Sequence, residues 1–189
     1  MKTLILLRHG KSSWDDPVAD HDRQLAKRGR RDAERAGKFL AAEGLEPDWL
    51  WSSTAARAAE TAFILGEAAD WDVEPTMTEA LYGASDGEIL EVVAGTPDWA
   101  DIVMVVGHNP GMEEAASGLV RELCSLRTCE MAVVQLPIER WSELAAAPRG
   151  RLEAVWRGAD LGTQTGEEEG DATQGGAPPL DGEPPDEQA

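Results

Sequence analysis

Short, uninterrupted apolar segments, each followed at once by a polar turn, limit the possible folds of this chain more than any other feature. Residues 4–7 form the first such segment and residues 102–106 form the strongest. An extended segment without alternating polar positions is covered on both faces, as in a parallel sheet between layers of helices. Open α/β sheets bind ligands outside the carboxyl ends of such strands, so the residues that follow these segments are the candidates for chemistry.

Helical periodicity alternates with the apolar segments along the chain. Ser52, Ser53 and Thr54 are candidate N-caps for a second helix, and Pro110 is placed at the first position of a fourth, where proline is tolerated best. The alternation indicates one α/β sandwich. The pattern predicts helices over residues 25–43, 55–68, 88–94, 110–123 and 141–146, and strands over residues 4–7, 49–51, 102–106, 131–136 and 152–156, with a short strand near Val73.

Composition divides the chain into two parts. Residues 1–160 are predicted to form one globular domain. Residues 161–189, which are rich in Gly, Pro and acidic side chains, are predicted to form a disordered tail.

The formal net charge of -19 argues against nucleic acid or an anionic membrane as partner, because both are bound by clustered Lys and Arg. The N-terminal apolar run is too short for a signal peptide, so we expect a cytoplasmic protein. We also expect a monomer.

Cysteine and histidine spacing argues against thiol or metal chemistry. Cys124 and Cys129 are too few for a disulfide framework and lack the spacing of a zinc ribbon or a redox pair, so we interpret them as buried thiols. The residue six positions after Cys124 is Glu130, which excludes the Cys-x5-Arg loop of thiol phosphatases. The histidines show no zinc-site spacing, and no metal site is expected.

Arginine and histidine recur near the ends of three predicted strands. Arg8 and His9 follow the first, Arg57 lies early in the helix after the second, and His108 precedes the helix after the strongest. Because parallel strands bring their carboxyl ends to one edge of the sheet, we expect these four side chains to meet. Two guanidinium groups and two imidazoles beside helix N-termini favour an anion, and a phosphoryl group fits best. Taken alone, residues 8–10 are better explained as a solvated turn, and only the convergence overturns that explanation.

Three motifs in register resemble those of the histidine phosphatase superfamily, which includes the cofactor-dependent phosphoglycerate mutases. Its Arg-His-Gly signature is similar to residues 8–10, its serine-led second motif to residues 52–61, and its third, which carries the second histidine, to residues 106–109. Each motif is weak alone, but three in order are specific. The resemblance covers about residues 1–157. The SixA-type phosphohistidine phosphatase branch is most similar, on the small size of the chain and on residues 8–12, 22–25, 28–29 and 81–84.

The resemblance implies both a fold and a reaction. The fold would be a three-layer α/β/α sandwich with a mostly parallel central sheet, phosphoglycerate mutase-like. The reaction would be metal-independent phosphohydrolysis without a cofactor, in which neutral His9 attacks phosphorus in line and forms a phosphohistidine that water hydrolyses. Arg8, Arg57 and His108 would hold the phosphoryl oxygens. The substrate would be a phosphohistidine-bearing protein or a small phosphoester.

Other residues are candidates for substrate contacts or proton transfer. Lys11, Ser13 and Asn109 flank the motifs and are candidate phosphate or substrate contacts, although a solvated turn explains each about as well. Glu79 precedes a Tyr-Gly pair and is similar to the general acid of the mutases, although a surface carboxylate is the commoner explanation. His21 is interpreted as a surface residue near the entrance.

Two alternatives stay open on the sequence. One is a small-molecule phosphomonoesterase of the same superfamily, which would use Glu79. The other is a catalytically silent phosphate-binding protein, against which the intact set of Arg8, His9, Arg57 and His108 counts. A phosphoglycerate mutase is disfavoured, because the chain leaves little sequence for a lid around a small diacid.

Overall fold

The computed structural model describes residues 1–15 and 17–157, so the predicted tail, residues 161–189, and the predicted boundary at residue 160 lie outside the described residues. The sheet consists of β1 (Lys2–Arg8), β2 (Trp49–Ser53), β3 (Thr76–Thr78), β4 (Ile102–Gly107), β5 (Met131–Leu136) and β6 (Arg151–Trp156). The α-helices are α1 (Lys27–Ala42), α2 (Ala56–Ala69), α3 (Asp86–Ala94) and α4 (Gly111–Val120). Short 3₁₀ helices cover Asp20–Asp22, Glu79–Leu81 and Trp141–Ala146.

The six strands form one mixed sheet in the order β3-β2-β4-β1-β5-β6. β1, β2, β3 and β4 run parallel, whereas β5 pairs antiparallel with both β1 and β6. The predicted α/β fold with a mostly parallel sheet is therefore confirmed. β1 and β4 lie side by side at its centre, with Arg8 opposite Gly107, so both strands end at the same edge.

Alternate residues along the central strands pack into two separate apolar cores, one on each face of the sheet. Leu4 and Leu6 of β1 pack in the core that contains residues of α3 and α4. Ile5 and Leu7 pack in the core that contains residues of α1 and α2. All four are fully buried, and each such side chain contributes about 1.5–3 kcal/mol. Burial on both faces is the physical reason why the apolar run shows no alternation.

The third strand lies later in the chain than the sequence predicts. β3 pairs Thr76–Thr78 with Trp51–Ser53 of β2, and Val73 is not in a strand. Val73 instead packs, half-buried, against the core beneath α1 and α2. Pro75, which has no N–H to donate to a ladder, separates it from the paired residues. An apolar residue in a half-buried connection therefore led to the wrong strand position.

Two helix ends also differ from the prediction. α4 begins at Gly111, with Pro110 as its N-cap and not its first residue. It stops at Val120 and not at residue 123, because Arg121 adopts the left-handed conformation (φ 58°) and reverses the chain. Leu123, which the apolar pattern placed inside the helix, is 95% exposed.

Neither serine proposed as an N-cap of the second helix fills that position, and neither does Thr54. Ser52 and Ser53 end β2, and the N-cap of α2 is Ala55, which has no side-chain acceptor. Ser53 still accepts a hydrogen bond from the Ala55 N–H, at 3.3 Å. The fifth predicted helix, Trp141–Ala146, is a 3₁₀ helix.

The described residues of the 12–25 loop, 12–15 and 17–25, fold back over the edge where β1 ends. Two glycines permit this approach: a Cβ on Gly29 would lie 2.2 Å from the Lys11 carbonyl oxygen, and one on Gly10 would lie 2.8 Å from the Gly29 carbonyl oxygen. Ser12 and Leu25 form an antiparallel bridge that closes the base of the loop. The 12–25 loop is thereby held beside the turn that follows β1.

Within residues 1–15 and 17–157, the helices are too short or too polar for any of them to cross a lipid bilayer.

Candidate active site

The carboxyl ends of β1, β2 and β4 bring together the histidines and arginines that the motifs singled out. His9 follows β1, His108 follows β4, and Arg57 is the second residue of α2, directly after the turn from β2. The His9 N–H donates to the Gly107 carbonyl at 3.1 Å, which joins the two histidine-bearing turns. The imidazole rings of His9 and His108 lie 5.0 Å apart between centroids. The predicted meeting of these side chains is therefore present in the structure.

Hydrogen bonds assign the tautomer of His9. Its Nδ1 lies 2.7 Å from the Gly10 carbonyl oxygen, which can only accept, so Nδ1 carries the proton. Its Nε2 accepts from the Arg57 Nε–H at 3.2 Å. Burial, with smaller contributions from the Arg57 and Arg8 charges, lowers the His9 pKa to about 4. At neutral pH His9 is thus an uncharged imidazole with its lone pair on Nε2, the form that can act as a nucleophile.

Arg57 is held by all three of its guanidinium nitrogens. Besides Nε, its Nη1 donates to the Asp20 carbonyl at 2.6 Å and its Nη2 donates to Asp20 Oδ2 at 3.0 Å. Thr61 fixes the first turn of α2 against the β1 turn, because its hydroxyl donates to the Arg57 carbonyl at 2.6 Å and accepts from the Gly10 N–H at 3.0 Å. The position of the Arg57 guanidinium beside His9 is therefore determined both by Asp20, which binds the guanidinium, and by Thr61, which holds the helix backbone.

His108 is held by Ser53 at the end of β2. Its Nε2 lies 2.9 Å from the Ser53 hydroxyl oxygen. That oxygen also accepts from the Ala55 N–H at 3.3 Å, and as a hydroxyl it can either donate to His108 Nε2 or accept from it. Burial, followed by the neighbouring His9 and Arg57, lowers the His108 pKa to about 3. His108 is thus a second neutral imidazole, and the tautomer with its proton on Nδ1 would offer a donor to a ligand.

Arg8 and Asn109 share one carbonyl oxygen. Arg8 Nη1 and Asn109 Nδ2 donate to the Leu126 carbonyl at 2.9 and 2.8 Å. Of the four buried side-chain polar atoms left without a partner in the described residues, three belong to this site: Arg8 Nε, His108 Nδ1 and Asn109 Oδ1. An unmet buried polar group costs free energy unless a ligand or water completes it. Their concentration beside His9 marks this edge as a place prepared for a polar ligand.

Three other predicted site residues do not hydrogen-bond to this group in the part of the chain that the structure describes. Lys11 is exposed. The Ser13 hydroxyl is engaged locally, since it donates to Asp15 Oδ2 at 2.7 Å and accepts from the Asp15 N–H at 3.0 Å. Glu79 is exposed in the 3₁₀ turn after β3. Their roles in the reaction stay predictions.

Sequence reasoning missed two residues of the site, Asp20 and Tyr82. Asp20 lies in the 12–25 loop and contacts Arg57 through both its backbone and its carboxylate. The Tyr82 hydroxyl donates to Asp20 Oδ2 at 2.9 Å, and its ring lies 5.6 Å from that of His108. His21, half-exposed, lies at the same rim, with ring centroids 4.9 Å from Tyr82. A signal existed for Tyr82, which is part of one matched motif, but none for the carboxylate partner of Arg57.

Comparison with known proteins agrees with this geometry. The profile of the histidine phosphatase superfamily (branch 1) matches residues 4–119. An uncharacterized chloroplastic protein of Arabidopsis thaliana is 38% identical over 156 residues, which cover 77% of this chain and 71% of the relative.

Two solved structures have the same fold. A protein assigned as the phosphohistidine phosphatase SixA from Nakamurella multipartitia superposes with a TM-score of 0.75 at 31% identity, covering 82% of this chain and 95% of that one. A second protein assigned as SixA, from Agrobacterium tumefaciens, superposes with a TM-score of 0.71 at 27% identity. The match covers 82% of this chain and 97% of that one. With its histidines and arginines gathered at one edge of the sheet, the chain therefore belongs to the histidine phosphatase superfamily, as a phosphatase of its SixA-type branch.

Proposed function

We propose that this phosphatase hydrolyses phosphohistidine on proteins, without a metal ion, through a phosphorylated His9. The observation that carries the proposal is the state of His9: its Nδ1 proton is committed to the Gly10 carbonyl, and its lowered pKa leaves Nε2 unprotonated at neutral pH. Arg57 donates to this nitrogen, and Arg8 and His108, at the same edge of the sheet, each have a buried nitrogen without a partner that suits an anionic phosphoryl group. The SixA assignment of the two similar structures supports the choice of substrate.

In the first step, His9 Nε2 attacks phosphorus in line with the leaving group. The Nε2–P bond forms as the bond from phosphorus to the substrate imidazole breaks, and the electron pair of that bond stays on the departing nitrogen. The imidazole leaves neutral, either because its ring already carries a proton or because it takes one up from solvent. Arg57 Nε must first release the His9 lone pair, to which it donates in the free enzyme at 3.2 Å. The released N–H then becomes available to a phosphoryl oxygen, together with donors of Arg8 and His108.

In the second step, water attacks the phosphorus of phosphorylated His9. The new O–P bond forms as the Nε2–P bond breaks, the electron pair returns to Nε2, and the attacking water gives up a proton to solvent. Inorganic phosphate leaves and His9 regains its neutral state, which its Gly10 hydrogen bond and its burial favour. Splitting one displacement into two in this way is the general benefit of covalent catalysis.

The substrate assignment follows from the leaving group. An imidazole leaves with less proton assistance than an alkoxide, for which a positioned acid is needed. Glu79, the candidate acid, is exposed and forms no side-chain hydrogen bond within the described residues. This arrangement favours phosphohistidine over alkyl phosphoesters, which we propose would depend on Glu79.

A rapid-quench labelling experiment tests the proposal. Wild-type protein incubated with radiolabelled phosphoramidate is expected to form an acid-labile, alkali-stable phosphoenzyme, and His9→Ala is expected to form none and to lose phosphatase activity. His21→Ala is the matched control and keeps the label, because His21 contacts Thr54 and Tyr82 but not His9. Labelling or full activity in His9→Ala contradicts the mechanism. Phosphate binding without any turnover would instead indicate a silent phosphate-binding protein.

A further inference from the structure

Arg57, which the proposed function assigns to the phosphoryl group, already binds an acidic residue of the protein. Asp20, on the 12–25 loop, accepts from Arg57 Nη1 through its backbone carbonyl at 2.6 Å and from Nη2 through Oδ2 at 3.0 Å. Each terminal nitrogen carries two N–H groups, so Asp20 uses half of the donors that these nitrogens offer. A phosphoryl group that binds Arg57 must therefore share it with an anion of the protein.

The Asp20 carboxylate is held in its ionised form. Oδ2 also accepts from the Tyr82 hydroxyl at 2.9 Å, and Oδ1 accepts from Arg23 Nη1 at 2.7 Å. The Tyr82 hydrogen bond and the Arg57 charge lower the Asp20 pKa below its ordinary value. The side chain is 50% exposed, so its charge is partly screened and yet accessible from the mouth of the site.

Arg23 and the loop that carries Asp20 are themselves firmly held. Arg23 is buried, donates through Nε to the Ser13 carbonyl at 3.2 Å and through Nη2 to the Ser12 hydroxyl, and its guanidinium lies 3.3 Å from the centroid of the Trp14 ring. These contacts hold the loop at the edge of the site. Asp20 is thus a built part of the pocket and does not depend on a chance orientation of one exposed side chain.

A fixed negative charge beside a phosphate site discriminates among ligands by charge. It repels a phosphate dianion, and the repulsion grows with the negative charge on the ligand. It attracts a protonated leaving group. The imidazole ring of a phosphohistidine can carry a proton near neutral pH, whereas the ring of a phosphotyrosine cannot. The same carboxylate therefore disfavours simple dianions and favours phosphoryl groups attached to a basic nitrogen.

We propose that Asp20 is a specificity-determining residue, which by sharing Arg57 weakens binding of phosphate dianions and favours phosphoryl groups on a cationic leaving group. The inference rests on the proposed function, because it assigns to Arg57 the phosphoryl oxygens. It adds to that function the physical basis of substrate choice. It also predicts that the inorganic phosphate formed in the reaction is released easily.

Two roles for Asp20, competition with phosphate and orientation of Arg57, predict opposite changes in phosphate binding when Asp20 is removed. If Asp20 served only to orient Arg57, its removal would loosen the guanidinium and weaken phosphate binding. It would also lower kcat for every substrate by a similar factor. If Asp20 competes with phosphate, its neutralisation strengthens phosphate binding. The sign of the change therefore separates the two roles.

The experiment measures inorganic phosphate binding by isothermal titration calorimetry at neutral pH for wild type, Asp20→Asn and Asp22→Asn. Asp20→Asn is expected to bind phosphate about tenfold more tightly than wild type. Asp22→Asn removes the same charge from the same loop and is the matched control, because the Asp22 side chain is 69% exposed and contacts only His21 among the described ion pairs. It is expected to bind phosphate as wild type does.

A second measurement compares kcat/KM for two peptides of one sequence, bearing phosphohistidine or phosphotyrosine. The preference for the phosphohistidine peptide is expected to fall about tenfold in Asp20→Asn and to persist in Asp22→Asn. Asp20→Ala is tested alongside, with circular dichroism as the check of folding for each variant. Unchanged or weaker phosphate binding in both Asp20 variants overturns the inference. If wild type and variants all fail to bind phosphate, the proposed site itself is wrong.

Discussion

At the scale of single residues, burial determines the chemical state of both active-site imidazoles. His9 and His108 have pKa values lowered to about 4 and about 3, and burial is the largest cause for each. The Gly10 carbonyl keeps the proton of His9 on Nδ1, and the Ser53 hydroxyl binds Nε2 of His108. The burial that keeps these imidazoles neutral therefore makes the folded protein less stable in acid, where the histidines of the unfolded chain bind protons.

That dependence gives a prediction for unfolding in acid. Between the unfolded pKa of about 6.5 and the lowered folded value, the unfolded chain binds more protons, so stability falls as the pH falls. Each histidine is expected to account for about 2 kcal/mol of the stability lost between pH 7 and pH 5. His108→Gln should reduce that loss by about this amount, measured as the free energy of unfolding in urea at the two pH values. An equal loss in variant and wild type would show that His108 is not held neutral.

At the scale of secondary-structure elements, the contact between α1 and α2 positions Arg57. Gly37 lies where the two helices meet, and a Cβ there would be 2.3 Å from the Leu65 carbonyl oxygen of α2. Apolar periodicity located both helices within two residues at each end. It could not reveal this close approach, because the distance between two helices depends on pairs of residues remote in sequence.

Two helical glycines should therefore respond in opposite ways to the same substitution. Gly37→Ala is expected to destabilise the protein by about 2–4 kcal/mol and to lower activity, because α2 must shift and Arg57 lies on it. Gly66→Ala, in α2 with nothing within 4 Å of the added Cβ, is the matched control and is expected to be more stable than wild type by about 0.5–1 kcal/mol. Urea unfolding and kcat measure both effects. A neutral Gly37→Ala would disprove the close contact.

At the scale of the whole molecule, one sheet edge collects residues from distant parts of the chain. His9, Arg57 and His108 meet because β1, β2 and β4 run parallel and end together. Both apolar cores lie within residues 1–157. We therefore propose that residues 1–160 form a self-sufficient domain.

Truncation after residue 160 tests that proposal. The shortened chain is expected to have a free energy of unfolding within about 0.5 kcal/mol of that of the full chain and to keep its kcat, because it retains both apolar cores of the described residues. Denaturant unfolding monitored by tryptophan fluorescence, together with a phosphatase assay, provides the comparison. A truncated chain that is unfolded or inactive would show that the acidic segment contributes to the domain.

The sequence by itself determined the fold class and the meeting of Arg8, His9, Arg57 and His108, because buried parallel strands and three ordered motifs are local patterns. Only the tertiary structure decided the strand order and the place of β3. It also decided the pairing of Asp20 with Arg57, since the close packing at Gly10 and Gly29 folds the 12–25 loop over the site. Contacts of this kind depend on which surfaces fit together in space, and the hydrophobic periodicity of a single helix or strand does not predict them.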